Sequence, residues 1–264
     1  MPVTFPAHQG LILPVKLRWP RAIDGTALCI GAAAPDLAYP LGPWLNAQSH
    51  TAIGLVVWSL PVTLVMATLV RWRAADGVFA NMPDLGLLRL RSYRVLGWRR
   101  PTALVTATSA VVGSGSHILI DGFTHKGRWG ANALGLNDVI GTVPIRGVMT
   151  EARLLQYLGH FGGSVLFILS LILIASTGRL DRWYSTELVV EARQAPSTRG
   201  GPLLFWVPVL AATATAIGVS QQTGRSVLFL PVLVAAIAPV VMGTLVGRSA
   251  RRPVGDNTGM ARLR

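Results

Sequence analysis

Apolar and polar positions alternate along this chain in long blocks rather than in single steps. Thr51 to Val70 runs 20 residues without a charge, enough for a helix to cross a hydrocarbon core about 30 Å thick. Comparable runs occupy 101–121, 157–178, 202–220 and 226–246, and each predicts a transmembrane helix. Residues 8–38 follow another pattern. A short amphipathic run, Gly10 to Val15, leads to Lys16, Arg18 and Arg21 around Trp19-Pro20, and a small apolar run from Ala22 then ends in Pro35-Asp36. Pro20 breaks a helix, so this stretch predicts a helical hairpin with its tip near residue 20 and arms of near-equal length. Polar loops are expected at 37–50, 71–100, 122–156 and 179–202, and the basic tail 248–264 is expected to be disordered. The fold class is therefore all-α, a polytopic transmembrane helix bundle with a short N-terminal helical hairpin. It forms a single membrane domain over 1–247, with two further spans in 202–247.

Composition agrees with a membrane protein: 51% of the 264 residues are hydrophobic and only 13% are charged. The net charge of +13 does not imply nucleic-acid binding, because the basic residues sit in short segments between apolar runs, where topogenic signals belong. Placing 71–100 in the cytoplasm puts nineteen of the 24 basic residues on that side and five on the other. The expectation is a multi-pass protein of a bacterial plasma membrane with a cytoplasmic C-terminus. The bacterial source follows from the Arg-rich basic set. Cys29 is the single cysteine, so no intrachain disulfide forms. Trp19, Trp44, Trp72, Trp98 and Trp206 lie near span ends and read as an interfacial aromatic belt.

One polar pattern cuts across the apolar blocks. His117, Asp121 and His125 form an HxxxDxxxH sequence at the end of the 101–121 run. Positions i, i+4 and i+8 share a helix face. Two imidazoles and a carboxylate are ligand types for zinc, iron or manganese, and polar groups at membrane depth mark function by default. With the topology above, His50, His117, His125 and His160 all fall at non-cytoplasmic span ends, and the hairpin brings His8 and Asp36 to the same side. The candidate metal ligands are therefore His8, Asp36, His50, His117, Asp121, His125 and His160, with Asp121 and His125 as the catalytic pair. A working site requires these groups to approach a common point, since metal–ligand bonds are about 2.0–2.2 Å long.

The order of these motifs carries a resemblance. An early His8, an apolar helix ending Pro35-Asp36, His50-Thr51 opening a span, and His117 with Asp121 closing a later one resemble an uncharacterised bacterial membrane family of unknown function. His125 and Leu155-Gln156-Tyr157 fit that family too. More distantly, the chain is similar to the membrane-bound metal-dependent hydrolases of the LexA-regulated YdjM type. Those relatives carry a second acidic or His residue just after Pro-Asp, where this chain has Leu37-Ala38-Tyr39. The resemblance covers about residues 5–165. It implies a divalent metal ion, zinc first and iron or manganese as alternatives, and hydrolysis of a lipid-linked or amphiphilic substrate at the outer membrane face.

Three other readings use the same residues. A non-haem-iron-type oxidase would need the same ligand types. A transporter would use intramembrane His and Asp as a proton relay. A structural or assembly protein would carry merely interfacial histidines. Membrane lipids and an amphiphilic small molecule are the expected partners, with no nucleic acid.

Overall fold

The computed structural model describes residues 5–86, 88–98, 100–143, 147–196, 201–223 and 229–246. The expected disordered tail, 248–264, lies outside the described residues. The protein is all-α, and among the described residues four helices are long and apolar enough to cross a membrane. These are α4 (Ala52–Ala80), α6 (Ala103–Thr124), α8 (Glu151–Ser176) and most of α11 (Gly201–Thr223). The fifth expected span is helical over Phe229–Val246, α12. Large aliphatic and aromatic side chains stand exposed along the long helices, among them Ile53, Val57, Leu104, Phe161 and Leu203. Such surface suits lipid tails rather than water.

The chain divides into two compact units, residues 1–68 with 101–174, and residues 69–100 with 175–264. In the first unit the N-terminal hairpin forms as α1 (Ala7–Arg18) and α2 (Gly25–Gly31). Its tip is tied down by polar bonds. Lys16 Nζ donates to the carbonyls of Pro20 and Ile23. Asp24 caps α2 by accepting from the Thr26 and Ala27 amides, and its other oxygen accepts from Thr106 Oγ1 at 2.9 Å. Those groups hold the hairpin to α6.

Small residues let the backbones touch. A Cβ on Gly113 of α6 would lie 2.3 Å from Leu28 O, and one on Gly31 of α2 would lie 2.6 Å from Ala110 O. The Gly113-to-Ser116 patch thus works as a close-approach surface. At the other end, a Cβ on Gly10 of α1 would sit 1.8 Å from Gly163 O of α8. A 3₁₀ turn (Asp36–Leu41) and α3 (Pro43–Ser49) follow α2. They fill the expected loop at 37–50 with helical turns, because Pro43 at the first helical position presets φ.

The second unit contains the end of α4, a two-residue hairpin β1 (Asp84–Leu85) and β2 (Leu88–Arg89), and α5 (Val95–Trp98). It also holds α9 (Arg179–Tyr184), α10 (Thr186–Gln194), α11 and α12. Phe205, Val209 and Val246 form its apolar centre. A Cβ on Gly77 would lie 2.0 Å from Gly243 O, so α4 and α12 also meet backbone to backbone. Asp76 and Arg94 pair in the interior at 2.7 Å.

Three expected loops are more structured than their polarity implied. Span α4 continues past Val70 to Ala80 through a π-turn at Val70–Ala74. Arg71 and Arg73 end the apolar run without ending the helix; Arg71 is buried and Arg73 exposed. In 122–156 the chain forms α7 (Trp129–Ala133) and an antiparallel hairpin, β3 (Val139–Val143) with β4 (Gly147–Thr150), and α8 starts at Glu151, not 157. In 179–202 the chain forms α9 and α10, whose start is capped by Ser185 Oγ accepting from the Leu188 amide.

Candidate metal centre

Four elements of the first unit each deliver one or more titratable side chains to one place. The starting point is α6. Thr102 caps it by accepting from the Val105 amide, and it then runs unbroken to Thr124. His117 and Asp121 share its buried face, and His125 caps its C-terminus. Because Leu28 packs onto Gly113, the last turn of α2 presents the Ala32 carbonyl to His117 Nδ1 at 2.8 Å. The chain leaving α2 is fixed by Trp58 Nε1 donating to Ala34 O at 2.9 Å and Ser49 Oγ donating to Pro35 O at 2.9 Å. Asp36 opens the next turn.

His50 comes from the sharp corner between α3 and α4. Gly54 is required there, since a Cβ would lie 1.9 Å from Gln48 O, and Thr51 Oγ1 accepts from the Gly54 amide. Its Nδ1 lies 2.7 Å from Asn46 O. His8 arrives on α1, one residue after Ala7, whose carbonyl abuts Gly163.

The distances converge. His117 Nε2 and His50 Nε2 are 3.3 Å apart. Asp36 Oδ1 lies 3.5 Å from His50 Nε2 and 3.6 Å from His117 Nε2. Asp121 Oδ2 lies 3.8 Å and 3.5 Å from the same two nitrogens. A tetrahedron with metal–ligand bonds of about 2.0–2.1 Å has edges of about 3.3–3.5 Å. Five of the six separations among these four atoms lie near such edges, and Asp36, His50 and His117 form one group of ligand atoms within 4.8 Å of one another.

The proton positions fit as well. In both His50 and His117, Nδ1 faces a backbone carbonyl, so Nδ1 carries the proton and donates it outward. Nε2 then turns its lone pair to the centre. This is the second-shell bond that fixes the tautomer of a ligating His. Two lone pairs and two carboxylates converging inside a protein repel one another unless a cation joins them. His117 is fully buried, and His8, His50 and Asp121 are nearly so. These buried His and Asp groups could hold a metal ion.

A second group of ligand atoms, from His8, His117 and Asp121, also lies within 4.8 Å. Asp121 Oδ1 lies 3.4 Å from His8 Nε2 and 3.5 Å from His125 Nδ1. The His8 ring stacks on His117 with centroids 4.0 Å apart. Burial first, then the neighbouring His117, lowers the His8 pKa to about 3, so His8 is a neutral imidazole with a lone pair to offer. Burial lowers His125 despite the adjacent Asp121 carboxylate.

The family described as "Domain of unknown function (DUF4184)" matches residues 1–248. The chain belongs to this family. No curated protein and no solved structure matches it. The functional reading of this DUF4184 chain therefore rests on its geometry.

The structure brings together His8, Asp36, His50, His117, Asp121 and His125 of the expected set. His160 stands apart from the two convergent groups and lines a small cavity with His8, Thr124 and Gln156. Gln156, one helical turn before His160, is the nearer neighbour: its Nε2 lies 2.7 Å from His125 Nε2. Sequence reasoning about ligands passed over Gln156, Ser49, Asn46 and the Ala32 carbonyl. Spacing gave a signal only for Gln156, which shares a helix face with His160.

Proposed function

We propose that this DUF4184 chain is an integral membrane metalloenzyme, a metal-dependent hydrolase acting on a lipid-linked or amphiphilic substrate. The observation that carries the reading is the set of five separations of 3.3–3.8 Å among His50, His117, Asp36 and Asp121, with both Nδ1 atoms turned to carbonyls. Zinc takes nitrogen and oxygen donors of these kinds, and three protein ligands such as Asp36, His50 and His117 leave a position open for water. A bound divalent cation supplies a Lewis acid there and acidifies water at neutral pH.

The protein's own residues set the approach. Asp36 and His125 are the members of the cluster that meet solvent, with side chains 30% and 22% exposed. Substrate and water reach the buried imidazoles past these two. The small cavity beside His8 is bordered by the apolar Leu11 and Ile120 and by Gly159. On the basic-residue asymmetry the cluster faces the non-cytoplasmic side of a bacterial plasma membrane. Lys126 and Arg128, close in sequence to the site, are placed to attract an anionic head group.

The test is metal analysis of detergent-purified protein, wild type beside Asp121→Ala. The expected result is zinc in the wild type and none in the variant, with both inserting in the membrane, because insertion depends on the apolar run. An Asp121→Ala protein that keeps full metal content overturns the reading. Iron with a visible or near-ultraviolet band would replace hydrolysis with oxidation. A reporter enzyme fused after Arg264 should be active only in the cytoplasm, and activity on the other side reverses the placement of the site.

A further inference from the structure

The Asp121 carboxylate divides its two oxygens between two pairs of imidazoles. Oδ2 faces His50 and His117, and Oδ1 faces His8 and His125. The contacts on the Oδ1 side, 3.4 and 3.5 Å, repeat the spacing on the Oδ2 side. Oδ1 is buried and has no hydrogen-bond partner. A buried carboxylate oxygen left without a donor is costly, and two imidazole nitrogens stand 3.4 and 3.5 Å from this one. A carboxylate that presents one oxygen to each of two ligand sets is the usual bridge of a two-metal site, whose ions lie about 3.5–4 Å apart.

We propose a second divalent-cation position on this side, held by Asp121 Oδ1, His8 Nε2 and His125 Nδ1, so that Asp121 bridges two ions. The proposal rests on the metal-centre reading above and extends it from one ion to two. His125 is prepared for the role by Gln156. Gln156 Nε2 lies 2.7 Å from His125 Nε2; with the carboxamide flipped so that its oxygen takes that place, Gln156 accepts the Nε2 proton and the Nδ1 lone pair faces Asp121. Three protein ligands leave coordination positions open, as catalytic sites do. The cavity lined by His8, Thr124, Gln156 and His160 has about 10 Å³ of free space, close to what one water needs. This arrangement gives His8, His125 and Gln156 a common purpose, and it sets an open, water-supplied position on the Oδ1 side beside the position on the Oδ2 side.

The experiment titrates metal-stripped, detergent-solubilised full-length protein with Zn²⁺ and counts ions per chain by mass spectrometry of the metal. It then repeats the titration on His8→Ala and His125→Ala. The expected result is two ions per wild-type chain and one in each variant. A companion measurement needs no variant: wild-type protein saturated with Mn²⁺ should give the electron paramagnetic resonance spectrum of two exchange-coupled ions. One ion per wild-type chain, with an isolated-ion Mn²⁺ spectrum, overturns the second position and leaves the mononuclear centre standing. No bound ion in the wild type overturns both.

Discussion

The two compact units handle buried charge in opposite ways. In the second unit, Asp76 is met by its own permanent cation. Arg94 donates to Asp76 Oδ1 through Nη2 at 2.7 Å and Nε at 2.9 Å, and its remaining nitrogen reaches Ala195 O at 2.6 Å. These are short, charge-assisted bonds, and the pair is complete as built. In the first unit, Asp36 and Asp121 meet four imidazoles at 3.4–3.8 Å. Those separations are too long for good hydrogen bonds and match the edges of a coordination polyhedron. One unit supplies its positive charge covalently. The other gathers buried His and Asp groups that could hold a metal ion, and that is the physical difference between the two arrangements.

The sharpest way to break this comparison is to remove one carboxylate from each unit's arrangement. Asp121→Ala should abolish metal binding while the metal-free protein keeps its fold. Arg94→Leu should leave metal content intact yet strand Asp76 in the interior, costing about 3–5 kcal/mol. Thermal unfolding read beside metal content separates the two outcomes, and metal loss in Arg94→Leu would show that the arrangements are not independent.

Metal itself gives the next largest effect. Resupplying stripped protein with Zn²⁺ at 100 times its Kd should stabilise it by about 2.7 kcal/mol. The same gain should appear in Arg94→Leu and vanish in Asp121→Ala. Absence of any shift in the wild type would make the first unit's cluster another structural polar network.

Packing tests how the cluster is delivered. Gly163→Ala places a Cβ 2.4 Å from Ala7 O, so α1 must move and carry His8 with it. Overpacking of this kind costs about 1–3 kcal/mol. The control is Gly162→Ala, which has open space around it and should change stability by less than about 0.5 kcal/mol. Comparable effects at the two positions would mean that α1 is not held by that crossing. The smallest predicted change concerns Ser49, whose hydroxyl sits 3.0 Å from His50 Nδ1 and donates to Pro35 O beside Asp36. Ser49→Ala should weaken metal affinity about tenfold, the low end for a group supporting a ligand, as read by competition with a chromogenic chelator.

The sequence by itself determined the membrane class and the positions of the long helices, because an uncharged run of 20 residues has few stable fates in water. It determined the His117–Asp121–His125 stripe for an equally local reason: 3.6 residues per turn places every fourth side chain on one face. The break at Pro20 was also legible, since it follows from the local chemistry of proline. Tertiary structure decided the rest. Residues 71–80, 179–184 and 186–194 are charged and 129–133 is a short stretch inside a polar loop, yet all are helical, because packing and capping outweigh weak intrinsic propensity. His160 and Gln156 lie on one face of α8 and were equivalent by periodicity. The crossing of Gly10 on Gly163 fixes α1 on α8, and in that arrangement Gln156, not His160, reaches His125. The grouping of His8, Asp36 and His50 around Asp121 is long-range for the same reason. A side chain's direction is set by its own helix, but its partner is set by where another helix can approach, and here glycines placed far apart in sequence decide that.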